Sequence, residues 1–210
     1  MNPNENCHKT ASAWFEELYR ENFLNNEQIP WAKMRANEYL LEYLQHNLPS
    51  GKALVVGCGL GDDAIALSEA GFEVTAIDVS ASAIAWCKER FDGFGVDFKV
   101  QDILELPPEM IGTYDFVFEA LTLQSMPLRF RDKMVTAISS LLAPKGKLLV
   151  VANGKREGEK YKGPPWPLER NEVRLFTMKA MNELEFSIYE EPTSLSTLKF
   201  RALYQKECVK

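Results

Sequence analysis

The chain has 210 residues, 46% of them apolar and 26% charged, with 24 Lys+Arg against 30 Asp+Glu. That length suits one α/β domain with a core of its own, and a formal charge of −6 argues against a nucleic-acid-binding face, which declares itself as a basic stripe. Four dispersed cysteines (Cys7, Cys58, Cys87, Cys208) without C-x-x-C spacing read as reduced thiols, and a polar start with no apolar run near ~20 residues gives the expectation of a cytoplasmic protein with no membrane partner.

Two amphipathic helices are expected first, over Ser12–Phe23 and Met34–Leu48. In the second, Met34, Tyr39, Leu40, Tyr43, Leu44 and Leu48 fall near one face. From Ala53 onward strand-length apolar runs alternate with helical patterns, the signature of βαβ units and a parallel sheet. Strands are expected at Ala53–Val56, Glu73–Asp78, Val96–Val100, Tyr114–Glu119 and Gly146–Ala152. Helices fall between them at Asp62–Ala70, at Ser80–Phe91 with Ser80 as its cap, and at Arg129–Leu142. Ala143-Pro-Lys-Gly146 reads as a turn. Asn153–Leu168, rich in Gly, Pro and charge, reads as an ordered loop or lid. A short helix near Asn171–Met181 then precedes two strands, Leu184–Glu190 and Lys199–Gln205, which can pair antiparallel at the sheet edge.

Val55-Val-Gly-Cys-Gly-Leu-Gly-Asp-Asp63 sits where the first strand turns into a helix. Gly57, Gly59 and Gly61, with Cys58 between them, let the backbone approach a ligand closely. Asp78 ends the second strand about 20 residues on, where a carboxylate can accept both hydroxyls of a ribose, and Val79 follows it. A dinucleotide fingerprint needs glycine at position 62, which is Asp62, followed by Asp63. Two carboxylates there repel a pyrophosphate, and no P-loop lysine follows. A ligand with ribose, no phosphate and positive charge tolerates them, and S-adenosyl-L-methionine fits. The competing reading of these two acids is helix-dipole stabilisation. Asp102 closes the third strand, placed for an adenine amino group with Ile103 packing on the ring, and Glu119 ends the fourth. Three acids at the ends of three successive strands outweigh the turn-residue reading of any one of them.

The segments Gly57-Cys-Gly-Leu-Gly61, Glu73-Val-Thr-Ala-Ile-Asp78, Gln101-Asp-Ile103, Tyr114-Asp-Phe-Val-Phe-Glu119 and Leu142-Ala-Pro-Lys-Gly-Lys-Leu148 resemble a class I S-adenosylmethionine-dependent methyltransferase. The resemblance implies a Rossmann-like α/β fold: a seven-stranded, mostly parallel sheet with an antiparallel last strand and helices on both faces. One domain is expected over 1–210, with an N-terminal helical cap (1–50), a cofactor-binding core (51–152) and a substrate-side loop with C-terminal edge strands (153–210). Trp14, Pro30-Trp31 and Gly163-Pro-Pro-Trp166 are similar to the thiopurine and halide/thiol methyltransferase branch. There the second tryptophan lies by the cofactor and the Gly-Pro-Pro loop covers the substrate, which makes Trp31 a cofactor candidate and Trp14 and Trp166 substrate candidates. The chain departs from that branch in Ala-Lys after Trp31 and in Leu121-Thr-Leu-Gln-Ser125, so halide and thiol acceptors both stay open. An aromatic wall suits a sulfonium through cation–π attraction.

Methyl transfer needs alignment more than a base, and no residue is assigned to catalysis. His8 and His46 read as surface residues, with no metal site. Cys58 and Cys87 read as packing residues. Lys155, Arg156, Lys160 and Lys162 read as a solvated lid, or as an attractor of an anionic acceptor. The expected partner is a small-molecule methyl acceptor, such as a thiol. A catalytically silent cofactor-binding module and a nicotinamide-dependent reductase are the competing readings.

Overall fold

The computed structural model describes residues 6–48, 50–190 and 198–208; residues 1–5 of the polar start and the side chain of Cys7 lie outside the described residues. The chain divides into two compact units, Met1–Glu105 and Leu106–Lys210.

In the first unit, α1 (Asn6–Glu21) and α2 (Glu38–His46) precede β1 (Lys52–Val56), α3 (Asp62–Ala70), β2 (Glu73–Asp78), α4 (Ala81–Arg90) and β3 (Asp97–Val100). The three strands are parallel, in the order β3-β2-β1, with Lys52 opposite Glu73 and Thr75 opposite Asp97. Ala53, Leu54, Val55 and Val56 are all buried, because a parallel strand covered on both faces carries a continuous apolar run rather than an alternating one. Glycines bound α3. Gly61 starts it at φ +89°, and a Cβ there would meet Cys87 Sγ and Phe98 at 3.1 Å. Gly71 ends it in the left-handed region, its N–H donating to the carbonyls of Leu67 and Ser68. Ser80 caps α4, its Oγ accepting from the Ala83 N–H at 3.0 Å.

The second unit holds β4 (Tyr114–Ala120), α5 (Arg131–Leu141), β5 (Leu142–Gly154), α6 (Arg170–Val173), β6 (Met181–Glu190) and β7 (Leu198–Lys206). β4 and β5 are parallel, and β7 lies antiparallel between β5 and β6. The sheet has seven strands in the order β3-β2-β1-β4-β5-β7-β6. Among the described residues, no helix is long and apolar enough to cross a membrane.

Four expectations shift. α1 begins at Asn6 rather than Ser12. The expected helix over Met34–Leu48 shrinks to nine residues: Met34 takes φ +52°, Asn37 caps the helix by accepting from the Tyr39 N–H, and Leu48 is 98% exposed. The turn at Ala143-Pro-Lys-Gly146 lies inside the range of β5, where Lys145 at φ +65° and a register shift opposite Tyr114 and Phe116 mark a bulge. Of the C-terminal pair only β6 is at the edge, with β7 interior.

Candidate cofactor site and acceptor loop

Within the first unit, the glycine loop is held from two sides. The Gly59 N–H donates to Asp78 Oδ2 (3.0 Å), and Cys87 Sγ donates to the Gly59 carbonyl (3.1 Å). Asp78 also accepts from the Ser80 N–H through Oδ1 (2.9 Å). Burial pushes its carboxyl up to about 6, against the pull of those backbone donors. Cys58 and Cys87 are buried thiols, and a hydrogen bond with Cys87, together with burial, raises the Cys58 thiol well above its ordinary range.

The two acids at the start of α3 have partners of their own. Arg90 makes a two-pronged contact with Asp62, at 2.9 and 2.8 Å, and also donates to the Leu60 carbonyl at 2.6 Å. Asp63 accepts from the Asn37 N–H at 2.6 Å, and burial lifts its carboxyl to about 6. Both acids therefore fasten neighbouring segments to α3, in addition to any interaction with the helix dipole.

A cavity of about 390 Å³ opens beside the end of β2, lined by Val79, Val100, Gln101 and Asp102 together with Ser12 and Glu16 of α1. That volume lies within the ~300–1,000 Å³ range of small-molecule sites. Asp102 Oδ1 accepts from the Leu104 N–H (2.8 Å), and Oδ2 lies 3.4 Å from His8 Nε2. Ile103 is half-buried next to it. His8, expected at the surface, is 13% exposed and faces both Asp102 and Glu105, with Lys9 paired to Glu105 at 2.8 Å. Glu16 docks α1 on the start of α4: it accepts from Ser80 Oγ (2.7 Å), the Ser82 N–H (3.0 Å) and Ser82 Oγ (2.7 Å). These donors hold its carboxyl below the ordinary range although burial pulls it up.

An aromatic wall stands at the glycine loop. Trp31 meets Trp14 edge-on at 5.7 Å and Phe15 at 5.8 Å, and Trp14 stacks on Phe15 at 4.0 Å. Trp31 Nε1–H donates to Tyr19 Oη at 2.6 Å. Tyr19 is 2% exposed and packs with Leu60 of the glycine loop, Ile29 and Trp86. The structure thus joins Trp14 and Trp31, which the sequence assigns to different ligands. It adds Phe15, Glu16 and Tyr19, which sequence reasoning passes over. Their only signal is the i, i+1, i+4 spacing of Phe15, Glu16 and Tyr19 on one side of α1, which reads equally as core.

In the second unit, Glu119 is fully buried. Its Oε1 accepts from the Leu123 N–H (2.8 Å), Oε2 has no hydrogen-bond partner among the described residues, and burial raises the carboxyl to about 7. Its hydrogen bond holds the turn after β4. The Trp166 N–H donates to the Gln124 carbonyl (2.8 Å). A Cβ on Gly163 would sit 2.3 Å from the Trp166 ring, so the loop folds back on its own glycine. Gln124 Oε1 accepts from the Asn153 N–H (2.6 Å), and Lys199 Nζ donates to Asn153 Oδ1 (2.6 Å), anchoring the loop region at the end of β5. Within the basic cluster, Lys155 pairs with Glu169 (3.3 Å) and Arg156 lies 3.9 Å from Glu159.

A glycine loop after β1, an acid ending β2 and this strand order define the class I S-adenosylmethionine-dependent methyltransferase fold. The profile of the family Thiopurine S-methyltransferase (TPMT) matches residues 16–201, and the chain belongs to that family. Membership carries S-adenosyl-L-methionine as the cofactor. The chain is 28% identical over 149 residues to Thiocyanate methyltransferase 1 of Arabidopsis thaliana, covering 69% of this chain and 63% of that protein. It is 34% identical over 118 residues to a Ubiquinone biosynthesis O-methyltransferase of Xanthomonas axonopodis pv. citri, covering 54% and 48%. The chain thus spans less than two thirds of the length of both relatives. Among solved structures, Burkholderia thailandensis 1,6-didemethyltoxoflavin-N1-methyltransferase superposes with a TM-score of 0.74 at 18% identity, covering 99% of this chain and 92% of the other.

Proposed function

We propose that the chain methylates a small, soft nucleophile, a thiol or an anion of thiocyanate type, with S-adenosyl-L-methionine as donor. The observation that carries the donor half is the aromatic wall of Trp14, Phe15 and Trp31 tied by one hydrogen bond to the phenol packed on the glycine loop. Such a wall attracts a sulfonium by about 0.5–2 kcal/mol. The acceptor half is supported by the thiocyanate methyltransferase relative. Bound, the cofactor supplies a methyl group on a sulfonium that is already an activated leaving group.

The residues divide the remaining work. Asp78 keeps lone pairs beyond those given to Gly59 and Ser80, and these are assigned to the ribose hydroxyls. Asp102 is assigned to the adenine amino group, with Val79 and Ile103 against the base, and Gly57, Cys58, Gly59 and Gly61 give the cofactor a backbone cradle. Trp31 faces the sulfonium beside Trp14, and the Trp166 loop covers the acceptor. Holding acceptor, methyl and sulfur in line can remove about 7–11 kcal/mol of barrier. A thiol that ionises near neutral pH needs no further base.

The test is a turnover panel of thiols, thiocyanate, a phenol and an amine with labelled donor. Methyl incorporation into thiols or thiocyanate supports the reading. Turnover of the phenol alone would move the chain to oxygen chemistry, the acceptor type named for the Xanthomonas relative.

A further inference from the structure

Trp31 stands in an irregular stretch between α1 and α2, where the Ala32 N–H bond to the Ile29 carbonyl is one of few backbone ties. Neither a helix nor a strand sets the direction of its ring. Three edge-on aromatic contacts do so, at 5.7, 5.8 and 5.9 Å to Trp14, Phe15 and Tyr19, together with the 2.6 Å hydrogen bond to Tyr19 Oη. Edge-on contacts tolerate rotation of a ring; a hydrogen bond to a fixed oxygen does not.

That oxygen is fixed. The Tyr19 ring is 2% exposed and wedged among Leu60, Ile29 and Trp86. Its hydroxyl lies against the backbone of Gly59, where an added Cβ would come within 3.1 Å of Oη. Gly59 is the residue whose N–H meets Asp78 and whose carbonyl receives the Cys87 thiol. The phenol therefore links the aromatic wall to the same peptide that carries the cofactor cradle. Burial also raises its pKa well above 10, so the group stays a neutral phenol.

We propose that Tyr19 is a positioning residue that, by accepting the Trp31 indole N–H, holds the Trp31 face toward the sulfonium and so raises the affinity for the charged methyl donor relative to that for the neutral demethylated product. This rests on the reading of Trp31 as a cofactor residue. A cation held over an aromatic face gains an interaction that the neutral thioether lacks, a factor of roughly 2 to 30 in affinity. Adenine and ribose contacts are the same for both molecules, so they cancel in the ratio of the two affinities.

The experiment is calorimetric titration of the full chain with S-adenosylmethionine and, separately, S-adenosylhomocysteine, for the parent and for Tyr19→Phe, Trp31→Ala and the double variant. Trp31→Ala is expected to lower the affinity ratio about five-fold through the methyl donor alone, with the product bound within two-fold of the parent. Tyr19→Phe should lower the ratio in the same way, and the double variant should fall no further than Trp31→Ala. A Tyr19→Phe ratio equal to the parent's, while Trp31→Ala lowers it, overturns the proposal and leaves the Trp31 reading standing. Equal weakening of both ligands by Tyr19→Phe also overturns it, since that is what lost packing would do. A Trp31→Ala ratio equal to the parent's removes Trp31 from the sulfonium, and the proposal with it. Trp31→Phe, which keeps a ring and deletes the N–H, tests the same hydrogen bond from its other end if Tyr19→Phe does not fold.

Discussion

Protonation of Asp78 should switch off cofactor binding, and the size of the effect follows from its surroundings. The carboxyl is 8% exposed, accepts from the Gly59 and Ser80 N–H groups, and is pushed up to about 6 by burial. On the proposed assignment ribose hydroxyls would donate to it, which would favour the ionised form and link binding to deprotonation. Above pH 7 the group is charged and affinity is flat. Below 6 affinity should fall about tenfold per pH unit, which makes binding at pH 5 roughly ten times weaker than at pH 7. Titration with S-adenosylhomocysteine between pH 5 and 8 measures this, with Asp78→Asn as the control that separates it from Asp63, whose carboxyl burial lifts into the same range. Asp78→Asn removes the charge from two hydrogen bonds worth at least about 1.5 kcal/mol each, about 3 kcal/mol or a ~150-fold loss before the added cost of setting its NH₂ against the Gly59 or Ser80 N–H, and should flatten the pH profile. Glu16, in reach of Asp78 and held ionised by Ser80 and Ser82, does not titrate in that range. A parent protein whose affinity is the same at pH 5 and pH 8, or an Asp78→Asn variant that binds as tightly as the parent, would show that Asp78 does not hold the ribose.

Glu119→Gln separates a buried turn-holder from a cofactor ligand. It keeps the acceptor for the Leu123 N–H, so affinity for S-adenosylhomocysteine should stay within two-fold. The parent's carboxyl, raised to about 7, is most favourable to the fold below its unfolded pKa and loses about 3 kcal/mol of stability as pH climbs through 7. Urea unfolding should therefore find the variant gaining on the parent by about that amount between pH 4.5 and pH 8, and a gap that does not change with pH would refute it. Arg90→Ala removes the pronged contact to Asp62 and the donor to the Leu60 carbonyl. It should cost about 1–3 kcal/mol in urea unfolding and weaken S-adenosylhomocysteine as well, because Leu60 belongs to the glycine loop.

The strand–loop–helix that carries the cradle is legible because its punctuation is local. Gly61 and Gly71 bound α3, Ser80 caps α4, and Asp78 ends β2, each within a few residues of the element it delimits. The partners of Asp62 and Asp63 are not legible, since Arg90 and Asn37 lie 28 and 26 positions away and reach them only after the crossovers are folded. The aromatic wall hides for the same reason: 17 positions and an irregular segment separate Trp14 from Trp31, and nothing in the spacing brings the two rings to 5.7 Å. Met34 shows the converse error. Its apolar character continues the periodicity of α2, but its backbone takes φ +52° and the helix waits for the cap at Asn37.

Burial raises the carboxyls of Asp63, Asp78 and Glu119, and their environments give them different work. Asp63 receives the Asn37 N–H and Glu119 the Leu123 N–H, so each secures the chain entering or leaving an element. Asp78 receives backbone donors from both the glycine loop and the start of α4. All three oppose folding when ionised, because burial disfavours the charged form more than their hydrogen bonds favour it. For Asp63 and Glu119 a neutral amide could keep the backbone hydrogen bond and shed that cost. At Asp78 an amide could not: its NH₂ would be forced against one of two N–H donors pointing at the same side chain. A carboxylate is thus required there by the loop itself. The same charge that weakens the fold is what a pair of ribose hydroxyls would stabilise, so on this assignment the cofactor supplies the donors that the folded chain alone leaves wanting.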